Sequence, residues 1–358
     1  MADRRAAGQS SAAVSAAGET GRTVRPEFTG AAGEYFRIWI VNLFFTLVTL
    51  GIYSAWAKVR KKKYFYGSTR LDGASFDYFA RPKAILKGRI VAFVVFVIYA
   101  FAGELYPESR YAFWALAVLV LPWLVVRALI FNARNSAHRG LRFHFSGTPG
   151  QAARIYIGML AVTLLTAGLA FPWFVARQKA FVAGHHAFGL TRVSCDLSAR
   201  AFYGVYIRAL LMLIGLTTPF VMLSMFAVGP LLGSESFSWL VWLLPALGTY
   251  AAYAVVYAYT QARITNLLWN GIGGPGFRFS SSLAALKLLK IYLGNVLAVA
   301  CTAGLLIPWA VVRTLKYRLE NFAMIVEEEV VHEANPALAS VGATGQELGD
   351  FFNLDLGL

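Results

Sequence analysis

Seven uncharged polar side chains, Asn42, Thr46, Thr49, Thr163, Thr166, Asn295 and Thr302, fall inside otherwise apolar stretches of this 358-residue chain. Amides and hydroxyls at membrane depth can line a path for a polar solute, and they are equally ordinary helix-packing groups. Both roles stand at this point. A second feature with chemical content is the basic run Lys58, Arg60, Lys61, Lys62 and Lys63, followed by Tyr64, Phe65 and Tyr66. Anionic headgroups attract each such cation by about 1 kcal/mol near a membrane surface, so Lys58, Lys61, Lys62 and Lys63 are lipid-contact residues as well as topological anchors. His138, His144, His185 and His186 carry no HExxH or His-x3-His spacing, which leaves a metal site without support. There is no Gly-x-Ser-x-Gly, P-loop or Rossmann glycine pattern, and Cys195 and Cys301 stand far apart. The sequence therefore reads as a non-enzyme with no cofactor. All Asp and Glu residues lie in loops, flanks or the tail. Ion-coupled carriers ordinarily hold ionisable groups at mid-membrane depth, so proton-coupled transport ranks low.

These groups must be positioned by membrane elements. The chain is 58% apolar and only 14% charged, with a net charge of +15, against roughly 25% charged residues in soluble domains. Several apolar runs of spanning length exclude a soluble nucleic-acid binder. Seven stretches stand out, centred on Ile38–Ala57, Ile90–Gly103, Tyr111–Val126, Ile155–Ala176, Ala209–Val228, Phe237–Ala258 and Ile291–Val312. The Lys and Arg counts in the successive gaps are five, ten, one, five, five, none, four and three. Cytoplasmic loops collect the basic residues. Stretches two and three then form one helical hairpin and stretches five and six another, giving four crossings. The first, fourth and seventh stretches begin and end on the cytoplasmic face as re-entrant segments. The competing arrangement has all seven crossing.

Those three stretches also resemble each other. Arg37-Ile38-Trp39-Ile40, Thr49, Gly51, Trp56 and Arg60 recur at a shift of 117 as Arg154-Ile155-Tyr156-Ile157, Thr166, Gly168, Trp173 and Arg177. They recur at a shift of 253 as Lys290-Ile291-Tyr292-Leu293, Thr302, Gly304, Trp309 and Arg313. Glycine weakens a helix where an entering chain must bend, and the Thr hydroxyl can bond a carbonyl freed by that bend. Trp and Arg suit the headgroup level. Beyond the helix exits, Gly73 with Phe76 and Tyr78, Gly140 with Phe143 and Phe145, and Phe277-Arg278-Phe279 alternate as short β-hairpins do. The expected fold is a mainly α, polytopic transmembrane protein with a threefold internal repeat and short cytoplasmic β-hairpins.

The organisation that follows is a disordered cytoplasmic arm over residues 1–27 and a membrane domain over 28–326, with repeat units starting near 28, 145 and 279. A tail over 327–358 carries seven acids and no Lys or Arg. Opposite basic loops, such a tail suits intramolecular docking or a protein partner, or it is simply solvated.

The motifs Phe28-Thr29-Gly30, Glu34-Tyr35-Phe36, Thr49-Leu50-Gly51-Ile52-Tyr53, Trp56-Ala57-Lys58-Val59-Arg60 and Leu71-Asp72-Gly73 resemble the YjgN-like bacterial inner-membrane proteins, a family of unknown function. The resemblance runs from about Phe28 to the acidic, aromatic C-terminal run. Ala55 departs from the Pro common there, and Met159 stands where the other two copies have Asn42 and Asn295. The resemblance implies a multi-pass inner-membrane protein and supplies no activity; the charge pattern places both termini in the cytoplasm. Two functions remain: a channel or facilitator for a small solute or lipid, along a path through the polar groups above, or a non-transporting scaffold for a partner such as a membrane-associated protease.

Overall fold

In a computed structural model, residues 21–189, 191–228 and 239–327 are described. Most of the expected arm and nearly all of the acidic tail lie outside them. The described residues begin inside the expected arm, with β1 (Arg22–Val24) and β2 (Glu27–Phe28). Next come α1 (Ala32–Val48), α2 (Ser54–Gly67) and the hairpin β3 (Thr69–Leu71) and β4 (Ala74–Tyr78). The apolar helices α3 (Pro82–Leu105) and α4 (Ser109–Asn135) lead to β5 (Ser136–His138) and β6 (Leu141–Phe145). Then α5 (Pro149–Ala153) continues through a π-helical Arg154–Met159 into α6 (Leu160–Leu165). The chain returns along α7 (Phe171–Gly184) to β7 (His186–Phe188), β8 (Thr191–Arg192) and β9 (Ser194–Cys195). A second apolar pair, α8 (Ala199–Leu223) and α9 (Trp239–Asn270), precedes β10 (Ile272–Gly274) and β11 (Phe277–Ser281). Last are α10 (Ala285–Cys301), α11 (Ile307–Glu320) and β12 (Phe322–Val326).

Strand pairing settles which way each helical excursion runs. β2 pairs with β3 across α1–α2, β4 with β5 across α3–α4, and β6 with β7 across α5–α7. β9 pairs with β10 across α8–α9, and β11 with β12 across α10–α11. Every excursion therefore leaves and re-enters one strand layer. The strands form two sheets, ordered β1-β12-β11-β10-β9 and β2-β3-β4-β5-β6-β7-β8. β1 runs into β2 through Arg25 and Pro26, and β8 into β9 through Val193, so chain continuity joins the sheets at both ends. The result is a closed circuit of strands. Asp72, which with Gly73 turns β3 into β4 at positive φ, adds a cross-tie by pairing with Arg22 of β1 and, at 2.6 Å, with Arg139.

Helix length separates the excursions into two kinds. At about 1.5 Å per residue the 27 residues of α4 extend roughly 40 Å, enough for a bilayer, whereas the 17 residues of α1 or α10 reach about 25 Å. Among the described residues, four helices are long and apolar enough to cross a membrane: Pro82–Leu105, Ser109–Asn135, Ala199–Phe226 and Val241–Asn270. Only 11% of the apolar window of α3 is buried. Phe93, Phe96, Trp114 and Leu119 stand on an outer surface that water would not tolerate. The packed core sits near the strand layer instead, in clusters such as Val125, Leu129, Phe145, Tyr156 and Phe181.

The shorter excursions all break in one way. Thr49, Thr166 and Thr302 are followed by a residue at φ +49, +50 or +47 (Leu50, Ala167, Ala303) and then by a glycine at +91, +89 or +93 (Gly51, Gly168, Gly304). The glycine N–H reaches back five residues, to the carbonyls of Thr46, Thr163 and Val299, at 2.7–2.9 Å. This is the Schellman closure of a helix C-terminus. The threonine hydroxyl then splices the two helices. It donates to the carbonyl four residues back (Phe45, Val162, Ala298) at 2.6–2.8 Å. It accepts from the N–H four residues ahead (Tyr53, Ala170, Leu306) at 2.9–3.2 Å. Backbone groups orphaned by the break are thus satisfied without water, as a hydrocarbon setting demands. Leu50 at the tip is 95% exposed.

The excursions start under a second device. Ala31 and Ala284 precede α1 and α10 and have no capping side chain. The Tyr64 hydroxyl, from the returning α2, accepts from the Ala31 N–H and donates to its carbonyl, both at 2.9 Å. Tyr317 of α11 does the same for Ala284, at 2.9 and 3.2 Å. Phe181 occupies the corresponding place on α7 and has no hydroxyl. There Thr148 caps its own helix in a capping box with Gln151.

Candidate functional site

A cavity of about 1700 Å³ opens from the interior of the strand circuit into the space between the helices. That is larger than the roughly 300–1,000 Å³ of an ordinary small-molecule pocket. Strands of both sheets contribute, through Val24, Phe76, His138, Phe143, Phe188, Ile272, Phe277, Phe279 and Val326. Alternation along each strand sends these side chains to one face. Rings then pack at a tilt around the circuit, with centroids 4.6 Å apart for Phe76 and His138, 4.9 Å for Phe143 and Phe188, and 5.4 Å for Phe279 and Phe322.

Two returning helices supply facing walls. α2 presents Lys58, Lys61, Lys62, Phe65 and Tyr66, and α11 presents Val311, Thr314, Leu315, Arg318 and Leu319. Each set recurs at three- and four-residue spacing, the single stripe of a helix. On α2 the cations Lys58, Lys61 and Lys62 precede Phe65 and Tyr66 toward the strands; on α11 Arg318 follows Thr314 and the apolar Val311 and Leu315. Lys62 Nζ donates to Asn132 Oδ1 at 3.1 Å and lies over the Tyr78 ring. Arg318 donates to the Tyr292 hydroxyl at 3.2 Å, and the Tyr292 ring packs at a tilt against Tyr257 of α9. Deeper, Asn295 donates to Thr314 Oγ1 at 2.9 Å and to the Ala310 carbonyl at 3.2 Å. Beyond it Val296, Val299 and Ile307 line an apolar end. Among the described residues, six cations and two acids line the cavity. Both acids are engaged, Asp72 with Arg22 and Arg139, Glu327 with Arg278. Burial works against the charge on Asp72, but the Arg139 hydrogen bond and the nearby guanidiniums hold its carboxyl below the usual range.

The polar residues named from sequence separate into distinct jobs. Asn295 lines the cavity. Thr49, Thr166 and Thr302, with Gly51, Gly168 and Gly304, build the helix breaks. Asn42 is buried in α1, which packs on α11, and its Oδ1 has no hydrogen-bond partner among the described residues. Trp56 packs against Ala55, Val59 and Ile85, while Trp173 and Trp309 are half-buried. Arg313 lies over Trp309 at 4.9 Å, and Arg60, Lys63 and Arg177 are exposed. Lys58, Lys61 and Lys62 line the cavity, Lys58 and Lys62 half-buried and Lys61 exposed, which a run of charges does not announce.

His185 and His186 Nδ1 contact the Phe181 and Val182 carbonyls at 2.9 and 2.6 Å, closing the end of α7. Burial, reinforced by neighbouring cations, lowers the His144 pKa; burial does the same at His186 against the pull of the Val182 carbonyl. Burial and Asp196 push the Cys195 thiol up to about 11, which leaves it a poor nucleophile. No group of three His, Cys, Asp or Glu able to hold a metal occurs among the described residues.

Residues 23–351 match a family described as bacterial proteins of unknown function, DUF898. The inner membrane protein YjgN of Salmonella typhimurium is 23% identical over 341 residues, covering 82% of this chain and 86% of the relative. YjgN of Escherichia coli K12 is 31% identical over 121 residues, 34% of this chain and 29% of that protein. No solved structure matches.

Proposed function

This chain belongs to the DUF898 family of bacterial proteins, and from that premise we propose that it is a facilitator whose cavity gives a small solute or a lipid a path into the bilayer. It is a multi-pass inner-membrane protein, and its function is not carried by any catalytic motif. The observation that carries the proposal is the continuity of one large cavity from the strand circuit to the apolar end at Val299 and Ile307.

The three broken excursions are copies of one unit. Their helices share boundaries at displacements of 117 and 253 residues, and each has the same threonine splice and the same pair of positive-φ residues. Two copies turn the same register toward the cavity, Lys58, Lys61 and Phe65 on α2 and Val311, Thr314 and Arg318 on α11. The strand circuit, with the basic gaps and both termini, lies on the cytoplasmic face, because the two gaps nearly bare of Lys and Arg are the α3–α4 and α8–α9 connections at the other end. In this arrangement α3–α4 and α8–α9 cross, and the broken units enter and return.

Vesicles carrying the full chain test the path. With fluorescent phosphatidylglycerol in both leaflets and a membrane-impermeant bleaching agent outside, or with trapped small solutes, the protein should accelerate loss of the protected signal. Val296→Trp, placed at the apolar end, should slow it. A scaffold would move neither probe, and that result would retire the facilitator reading.

A further inference from the structure

The last described strand delivers the rest of the chain to the cavity. β12 ends at Val326, and Val326 and Glu327 both line the cavity. The Glu327 N–H donates to the Gly276 carbonyl at 2.8 Å and its carboxylate pairs with Arg278 at 3.3 Å, which pins the start of the tail at the rim. Beyond it, residues 328–358 carry six acids and no Lys or Arg. They close on Asp350-Phe351-Phe352-Asn353-Leu354-Asp355-Leu356, where carboxylates are interleaved with large apolar side chains. The cavity wall holds the complementary mixture. On α2, Lys61 and Lys62 stand one turn from Phe65 and Tyr66, and on α11 Arg318 stands among Leu315 and Leu319. Water leaves Phe351, Phe352, Leu354 and Leu356 exposed, which the hydrophobic effect opposes. Anionic headgroups repel the carboxylates between them. The cavity lining is apolar and, with six cations against two acids among the described residues, positive in sum.

We propose that this C-terminal run docks in the cavity of its own chain and closes the mouth, with Phe351 and Phe352 against the apolar wall and Asp350 and Asp355 on the α2 stripe that carries Lys61. Reach allows it. Phe352 lies 25 residues beyond Glu327, and a flexible tether of that length spans roughly 25–30 Å. Such a tether also holds the run at an effective concentration of about millimolar, so contacts too weak to hold a separate peptide suffice within the chain. Docking asks only that the lining be positive in sum, since an ammonium or guanidinium takes several acceptors. Closing the mouth rests on the facilitator reading; docking itself does not.

The test is the full-length chain in vesicles with p-benzoylphenylalanine in place of Phe352, photo-activated and mapped by mass spectrometry. Adducts should fall on the cavity-lining segments of α2 and α11, and mixing with an isotope-labelled copy should show them to lie within one chain. Asp350→Asn combined with Asp355→Asn should lower their yield about fivefold, the worth of two exposed ion pairs. Salt raised from about 0.05 to 0.5 M should lower it in the same sense, and so should Phe351→Ser. These substitutions lie beyond the last strand, so a fall in yield does not report a disrupted membrane domain. Adducts confined to lipid, to the tail itself or to a second copy would overturn the proposal, as would a yield indifferent to salt and to every substitution. Removing residues 330–358 should at least double the rate in the bleaching or solute assay. Lining adducts with equal rates in the full and shortened chains would overturn the closing of the mouth. Lining adducts with no movement in either chain would defeat the facilitator reading and leave docking standing. Faster movement on shortening without lining adducts would overturn docking and leave the facilitator.

Discussion

Replacing Thr302 by valine removes one hydroxyl and almost no volume, so its cost isolates the splice between α10 and α11. The hydroxyl donates to the Ala298 carbonyl at 2.7 Å and accepts from the Leu306 N–H at 3.2 Å. A net hydrogen bond contributes about 1 kcal/mol, and a donor left without a partner in a dry setting costs about 1–3 kcal/mol. Hydrocarbon supplies no water to rescue the Leu306 N–H. The loss expected for Thr302→Val is therefore about 2–4 kcal/mol, and for Thr302→Ser, which keeps the hydroxyl, below about 1 kcal/mol. Equilibrium unfolding in mixed micelles, with the four-helix hairpins as internal reference, measures both. If valine and serine agree within about 0.5 kcal/mol, the hydroxyl merely packs and the splice contributes nothing. Thr49→Val and Thr166→Val should behave alike, since their bonds are the same.

Other consequences are as direct. Tyr317→Phe removes the hydroxyl that bonds Ala284 at the start of α10 and should cost about 1 kcal/mol, the usual worth of a cap, whereas Phe181→Tyr should add little because Thr148 already caps that helix. Gly304→Ala should cost about 1–3 kcal/mol in the same unfolding assay, since φ there is +93. Stability should fall on acidification: His144 and His186 have folded pKa values below the reference 6.5, so the unfolded chain takes up protons first. The stabilisation is complete above about pH 6.5 and is lost as pH falls through the lowered folded values, and His186→Gln should flatten the dependence. Single cysteines at Glu108 and Arg139, in a chain lacking Cys195 and Cys301, should label from opposite membrane faces; labelling from one face would break the α3–α4 hairpin assignment.

Charge distribution along the chain made the four long helices legible, because Lys and Arg bias is a local property of each connection. The helix breaks were half legible. Thr and Gly at matched positions announce a bend and the bond from Thr302 to the carbonyl behind it, but not that the same oxygen also caps the helix ahead. The strand circuit was least legible. Its strands are two to five residues long, and β1 finds β12 from the opposite end of the described chain. Pairing at that separation leaves no local pattern. The place of Lys62 on the cavity lining was hidden for a related reason: a cationic run reads as a solvated face until the cavity it borders is seen. Asn42 and Asn295 occupy matched positions yet differ in role, since only Asn295 meets a threonine across the helix pair.

The pairing of β1 with β12 also sets an order of events during synthesis. β12 leaves the ribosome after every helix described, so Arg22–Val24 waits as an open edge while the helices insert. Until Phe322–Val326 arrives, the strand circuit has a gap and the mouth of the cavity has no rim. A chain that stalls or is cut short carries membrane helices but no finished vestibule. The rim of this cavity is thus complete only once translation has passed Val326.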